Sequence, residues 1–203
     1  VATIEYATEG HRALITINRP EARNAVNADV ASGIDAAIDR LEDDDSLWVG
    51  ILTGVPPVFC AGADLKEINA GRFAALSTPL GGFGGITRKN RTKPIVAAVD
   101  GPALAGGTEI ALACDLIVAS ANATFGLPEV KRSLAAAAGG LFRLPRRLPF
   151  NVAMEMTLTG DPIDAARAHH FGLVNVLCEA GEALEKAREL AARIEANAPV
   201  AVR

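Results

Sequence analysis

An α/β fold is what this sequence predicts, and three observations carry the prediction. Residues 48–53, 95–100 and 115–120 are short apolar runs, the second bounded by Pro94 and Gly101, and each has the composition of a strand buried on both faces. Between such runs lie segments whose apolar residues return at helical spacing, most clearly Val30, Ile34, Ile38 and Leu41. The unit of strand, glycine-rich turn and helix recurs, without an internal repeat strong enough for a solenoid.

The chain has 203 residues, 50% of them hydrophobic, enough for one domain with a real core. A formal charge of −4 argues against nucleic acid as the main partner, because phosphate binding normally shows as a basic surplus. No apolar run approaches the ~20 residues that cross a bilayer, and Val1 onward has the pattern of neither a signal nor a transit peptide, so a cytoplasmic protein without membrane contact is expected. Cys60, Cys114 and Cys178 are odd in number and lack C-x-x-C spacing, which points to a reducing compartment without a disulfide framework or zinc site. His169 and His170 are adjacent on a predicted helix and diverge, so no metal site is expected there.

In chain order, residues 3–7 and 13–18 read as two strands joined at Glu9-Gly10, a hairpin signal, and Arg19-Pro20 ends the second. Asn27 is placed to cap the helix that carries Val30 to Leu41, and the acidic run 42–45 after it reads as a solvated turn. The strand 48–53 stops at GVPP, and FCAGADL, Phe59 to Leu65, is a small-residue turn into a short helix with Lys66 and Glu67. Residues 71–85 are rich in Gly, Ser, Thr and Pro without periodicity, which predicts a mobile loop or a lid. The basic run Arg88, Lys89, Arg91, Lys93 reads as a solvated face, or as a phosphate contact if a site lies near. After the strands 95–100 and 115–120, helices are predicted at 151–159, 164–171 and 182–197, with a strand at 173–177 and Pro199 as the final stop.

Two turns and two acids are the candidate chemistry. The stretch GPALAGGTEIALACD, Gly101 to Asp115, runs from a buried strand into an alanine-rich helix opened by Gly106-Gly107, where the backbone can approach a ligand and offer free N–H groups to an oxygen. Ala61 and Gly62 in the earlier turn could do the same. Glu109 lies in the first helical turn, where the helix dipole alone would favour an acid by roughly 0.3–1 kcal/mol. Glu129, after Pro128 and before four alanines, is a second acid in an otherwise apolar setting, and paired acids are a common basis for general acid–base chemistry.

Those residues carry a resemblance that runs nearly end to end. NRP at 18–20 with Asn24-Ala25, FCAGADL, Lys93-Pro94, Asp100-Gly101 through Glu109, Cys114-Asp115, Phe125-Gly126 through Glu129, Gly139-Gly140, Thr159-Gly160 and Ala166 through Val174 fall in the order of the crotonase superfamily. The chain most resembles enoyl-CoA hydratases of actinobacterial type. The resemblance implies a crotonase-like spiral of ββα units over residues 1–150 and a helical C-terminal oligomerisation region over residues 151–203, with trimers often paired into hexamers. It also implies that relatives continue through further helices past the position of Arg203. It implies an oxyanion hole from the backbone N–H groups of Ala61 and Gly106, and Glu109 and Glu129 as the acids that hold a water. Acyl-CoA contacts are implied at Ala22, Arg23, Ala25, Ala61, Gly62, Ala63, Asp64, Leu65, Lys66 and Gly106, with no metal and no cofactor apart from the CoA of the substrate. The four alanines 135–138 stand where relatives often carry a glycine-containing loop, which implies a differently shaped acyl pocket. Enoyl-CoA isomerisation, other acyl-CoA chemistry of the superfamily, and a non-catalytic acyl-CoA or RNA-binding module are the rival readings.

Overall fold

The computed structural model describes residues 2–203. It opens with the expected hairpin, β1 (Ile4–Glu9) and β2 (Arg12–Ile17), antiparallel through a two-residue turn in which Glu9 pairs with Arg12. Then come α1 (Ala28–Asp43), β3 (Val49–Gly54), α2 (Leu65–Asn69), the short ribbon β4 (Ser77–Thr78) and β5 (Gly82–Phe83), β6 (Ile95–Val99), β7 (Pro102–Leu104) and α3 (Gly106–Ala113). The chain continues through β8 (Leu116–Ser120), β9 (Thr124–Gly126), α4 (Gly140–Arg147), α5 (Phe150–Thr159), β10 (Ile163–Asp164), α6 (Ala165–His170), β11 (Val176–Cys178), α7 (Ala183–Glu195) and α8 (Pro199–Val202).

The larger sheet has the order β1-β2-β3-β6-β8-β11, parallel from β2 onward. A smaller sheet has the order β10-β9-β7, and a lone parallel bridge from Cys60 to Ala103 extends it. Each turn of the chain gives a strand to the large sheet, a strand or bridge to the small one, and then a helix: β3, Cys60, α2; β6, β7, α3; β8, β9, α4. This is the spiral of ββα units that the resemblance implies.

Residue alternation divides the core. In β3 and β6, Leu52, Ile95, Ala97 and Val99 face α1 and the small sheet, while Val49, Ile51, Val96 and Ala98 face Ala187 and Ala191 of α7. Paired hydrogen bonds from Arg12 to Glu195 (2.8 and 2.8 Å) and from Arg188 to Glu9 (2.9 and 2.7 Å) pin α7 to the first hairpin. Residues 151–203 therefore share the core of residues 1–150 and close the second face of the sheet.

Helix α1 begins as expected, with Asn27 accepting from Val30 N at 2.9 Å. Its other end corrects two expectations in part. Lys93 is fully buried and its Nζ donates to the carbonyls of Leu41 (2.7 Å), Glu42 (3.1 Å) and Asp44 (2.7 Å), while the Glu42 carboxylate accepts from the backbone of Thr92 and Lys93. Orphan carbonyls at a helix C-terminus take a cation well, so Glu42 and Lys93 form a joint, while Asp43, Asp44 and Asp45 stay exposed as expected of a solvated turn. Lys89 is held by Asp35 and Asp39, and Arg91 by Asp115 and the carbonyl of Ala113, so these two serve packing as Lys93 does, while Arg88 stays exposed as expected.

Within residues 71–85, where a mobile loop or a lid is expected, the ribbon β4–β5 gives part of the segment regular structure. Leu76 is buried, and Gly81, Gly82, Gly84 and Gly85 are buried where the ribbon packs against α1 and α3. The glycines there permit contact between backbones. Helix α4 is not among the helices expected from the sequence; in so short a helix, Pro145 removes a single hydrogen bond. The strand expected at 173–177 forms at Val176–Cys178, with Leu173 and Val174 buried in the turn before it. Pro199 both follows α7 and starts α8, since Pro is tolerated at a first helical position.

Candidate active site

A cavity of about 500 Å³ opens between the turn after β2, the turn into α2, the start of α3 and the segment 128–138. Buried Asn24 holds the first wall: its Nδ2 donates to the carbonyls of Val55 (2.8 Å) and Val58 (2.6 Å), and its Oδ1 accepts from Arg19 N at 2.9 Å. The two glycine-bearing turns lock together. A Cβ on Gly107 would stand 2.0 Å from Cys60 O, and one on Gly62, whose φ is +92°, would meet Leu104 O and Gly106 N at 2.9 and 3.0 Å. Only glycine lets these strands of backbone come so close.

Backbone accounting decides which N–H groups face the cavity. The bridge between Val26 and Ala63 is parallel, so Val26 N donates to Gly62 O (2.8 Å) and Val26 O accepts from Asp64 N (2.8 Å). Ala63 itself is left pointing the other way, and its N–H has no acceptor among the described residues. Gly106 N, in the first turn of α3, has none either. Both residues line the cavity. Ala61 also lines it, but its N–H donates to Arg23 O at 3.1 Å. The expected pair of free donors, Ala61 and Gly106, is therefore corrected to Ala63 and Gly106.

The two acids come together on the same cavity. Glu109 is only 3% exposed, and its Oε1 accepts from Gly140 N at 2.9 Å. Burial pushes its carboxyl up to about 7; nearby Glu129 adds to the rise, while the N–H groups of Gly140 and Ala138 and the Arg143 guanidinium oppose it. A carboxylate placed merely to satisfy the helix dipole would be held in its ionised form instead. Glu129 lies on the 3₁₀ turn Pro128–Arg132, and burial raises its carboxyl too. Its Oε2 is buried without a hydrogen-bond partner among the described residues, an exception of the kind that clusters at functional sites.

Of the other expected contacts, Ala22, Arg23, Ala25, Ala63, Leu65 and Lys66 line the cavity. Gly62 does not, because it is buried behind the junction with Ala105 and Gly106. Asp64 reaches the rim, but its carboxylate is committed: Arg19 Nη1 donates to Oδ2 at 2.7 Å, and Oδ1 caps α2 through Lys66 N at 2.8 Å. Phe73, Phe83 and Leu134 are walls that pattern reading missed, and the ribbon that presents Phe83 lay within the supposed loop. The Gly140 N–H was also missed. Gly139-Gly140 was legible as a motif, but nothing local tied it to Glu109. Among the described residues no group of His, Cys, Asp and Glu is placed to hold a metal ion, and no helix is long and apolar enough to cross a membrane.

Residues 8–203 match the family model described as enoyl-CoA hydratase/isomerase. Among similar proteins, a mevalonyl-coenzyme A hydratase of Aspergillus fumigatus is 43% identical over 95% of this chain and 72% of that protein. Enoyl-CoA hydratase EchA19 of Mycobacterium tuberculosis is 42% identical over 95% of this chain and 74% of its own length. Among solved structures, an enoyl-CoA hydratase from Mycobacterium tuberculosis superposes with a TM-score of 0.96 at 51% identity, covering 100% of this chain and 79% of that one. A carnitinyl-CoA hydratase from Mycobacterium avium gives 0.96 at 45% identity, covering 100% and 78%. The resemblance to the crotonase fold and to actinobacterial relatives is thus borne out, and the chain belongs to the enoyl-CoA hydratase/isomerase family.

Proposed function

We propose that the protein adds water across the double bond of a trans-2-enoyl-CoA to give a 3-hydroxyacyl-CoA. The observation that carries this reading is a pair of buried carboxyls, Glu109 and Glu129, sharing one cavity with two unpartnered N–H groups, those of Ala63 and Gly106. The thioester oxygen sits between the two N–H groups and gains negative charge as an enolate develops, an arrangement in which one donor is typically worth about 2.7–4 kcal/mol. Glu109 accepts a proton from water as its oxygen bonds to C3. Glu129 delivers a proton to C2. Water is consumed, the C2–C3 π bond is replaced by C–O and C–H bonds, and the proton gained by Glu109 and lost by Glu129 re-equilibrates before the next turnover. This balance requires no metal or redox cofactor, and CoA enters as part of the substrate.

Arg23 and Lys66 are exposed on the CoA side of the cavity, where their cations meet phosphate. Leu141, Phe142, Phe150 and Leu158 expose apolar side chains along α4 and α5, a surface suited to further copies of the chain in a trimer or hexamer. Three free cysteines accord with a cytoplasmic setting.

The test is a panel of 2-enoyl-CoA and 3-enoyl-CoA thioesters. Loss of conjugated absorbance with the 2-enoyl series is expected. Appearance of conjugation from the 3-enoyl series, with 2-enoyl substrates untouched, would replace hydration by isomerisation, which needs only one carboxylate.

A further inference from the structure

Arg143 lies on α4, three residues beyond Gly140, and is half-buried without an ion-pair partner among the described residues. Its two terminal nitrogens are spent on carbonyls: Nη1 donates to Ala138 O at 3.2 Å and Nη2 to Thr87 O at 2.6 Å. Thr87 is buried just after Phe83, whose ring lines the cavity, and Ala138 lines it from the other side. Between Ala138 and Gly140 the chain passes directly under the guanidinium, since a Cβ on Gly139, where φ is +116°, would stand 1.9 Å from Nη1. The N–H groups that support the Glu109 carboxylate belong to Ala138 and Gly140. The segment that Arg143 pins is therefore the one that holds Glu109.

We infer that Arg143 is a positioning residue for Glu109: by tying Ala138 O to Thr87 O it fixes the two N–H groups that aim the carboxylate into the cavity. The inference rests on the reading of Glu109 as the base in hydration. The charged groups around Glu109 are Glu129, from the 3₁₀ turn, and Arg143 itself, from α4. Arg91, Arg146 and Arg147 stand near Arg143, and Glu109 is the anion that most strongly offsets them at its guanidinium. Losing Arg143 removes a nearby positive charge and loosens two donors. Both changes disfavour the ionised base.

Arg143→Met removes the charge and the fork at similar length, whereas Arg143→Lys keeps the charge and loses the fork. With crotonyl-CoA, Arg143→Met is expected to lower kcat at pH 7 by about tenfold or more, as a misaimed base does. KM should stay within about threefold, because no CoA contact is touched. The pH at which kcat reaches half its plateau should rise by roughly one pH unit, a tenfold change in the ionised fraction. Arg143→Lys should lower kcat with a smaller pH displacement, and it serves alone if Arg143→Met does not fold. A merely structural role would lower the yield or the Tm and leave the pH midpoint unmoved. Wild-type kcat and pH midpoint in the folded variants, alongside an inactive Glu109→Gln, would overturn this inference alone. A fully active Glu109→Gln would instead overturn the assignment of Glu109, and this inference with it.

Discussion

Glu109→Gln should make the protein more stable at alkaline pH and scarcely change it in acid. The Glu109 carboxyl titrates near 4.5 in an unfolded chain and is pushed up to about 7 in the folded one, chiefly by burial. Below the unfolded value the group is protonated in both states and costs nothing. As pH rises toward 7 the unfolded state ionises first, so stability is lost progressively and the loss is complete above the folded value. A displacement from 4.5 to about 7 corresponds to about 3 kcal/mol at its full extent. At pH 5 less than about 1 kcal/mol of it has developed. The uncharged amide can still accept from Gly140 N without that penalty. Chemical denaturation at fixed protein concentration should show the variant about 3 kcal/mol more stable at pH 8.5, or roughly 6–12 °C higher in Tm. Equal stability of variant and parent at pH 8.5 would refute the buried, raised carboxyl on which the catalytic reading stands.

Replacing the Ala63 amide by an ester, which deletes its N–H, should lower kcat about 10²–10³-fold, while the same change at Ala61 should cost only the contact with Arg23 O; equal losses at both would restore Ala61 to the oxyanion site. Arg23→Ala and Lys66→Ala should each raise KM for an acyl-CoA by up to about fivefold at low salt, with little effect on an acyl-pantetheine, and a shared effect on both substrates would place these cations elsewhere. Light scattering should find a trimer or hexamer at micromolar concentration, with Phe150→Glu lowering its mass; a wild-type monomer would leave the exposed side chains of α4 and α5 without that role.

What was legible in the sequence follows the range of the forces involved. Strands β3, β6 and β8 announce themselves because burial on both faces demands continuous apolar runs, and α1 because its cap and apolar stripe are local. Glu109 and Glu129 stood out because acids are rare in apolar settings. The choice of Ala63 over Ala61 was not legible, because it depends on which residue Val26 pairs with, a contact across the fold. The same holds for the Gly140 N–H on Glu109 and for Lys93 at the end of α1, both set by partners distant in sequence. The ribbon within residues 71–85 was not legible because glycine serves close packing as readily as a loop, and composition does not separate the two.

The central claim is that Glu109 and Glu129 act together on one water. It is tested most directly by hydration of crotonyl-CoA in Glu109→Gln, Glu129→Gln and the double variant, each shown to bind acyl-CoA. Each single variant should lose about 10²–10⁴-fold in kcat with KM little changed. The double variant should be scarcely slower than either, because groups acting on one water form a unit. Additive losses in the double variant, or wild-type turnover in either single one, would contradict the account.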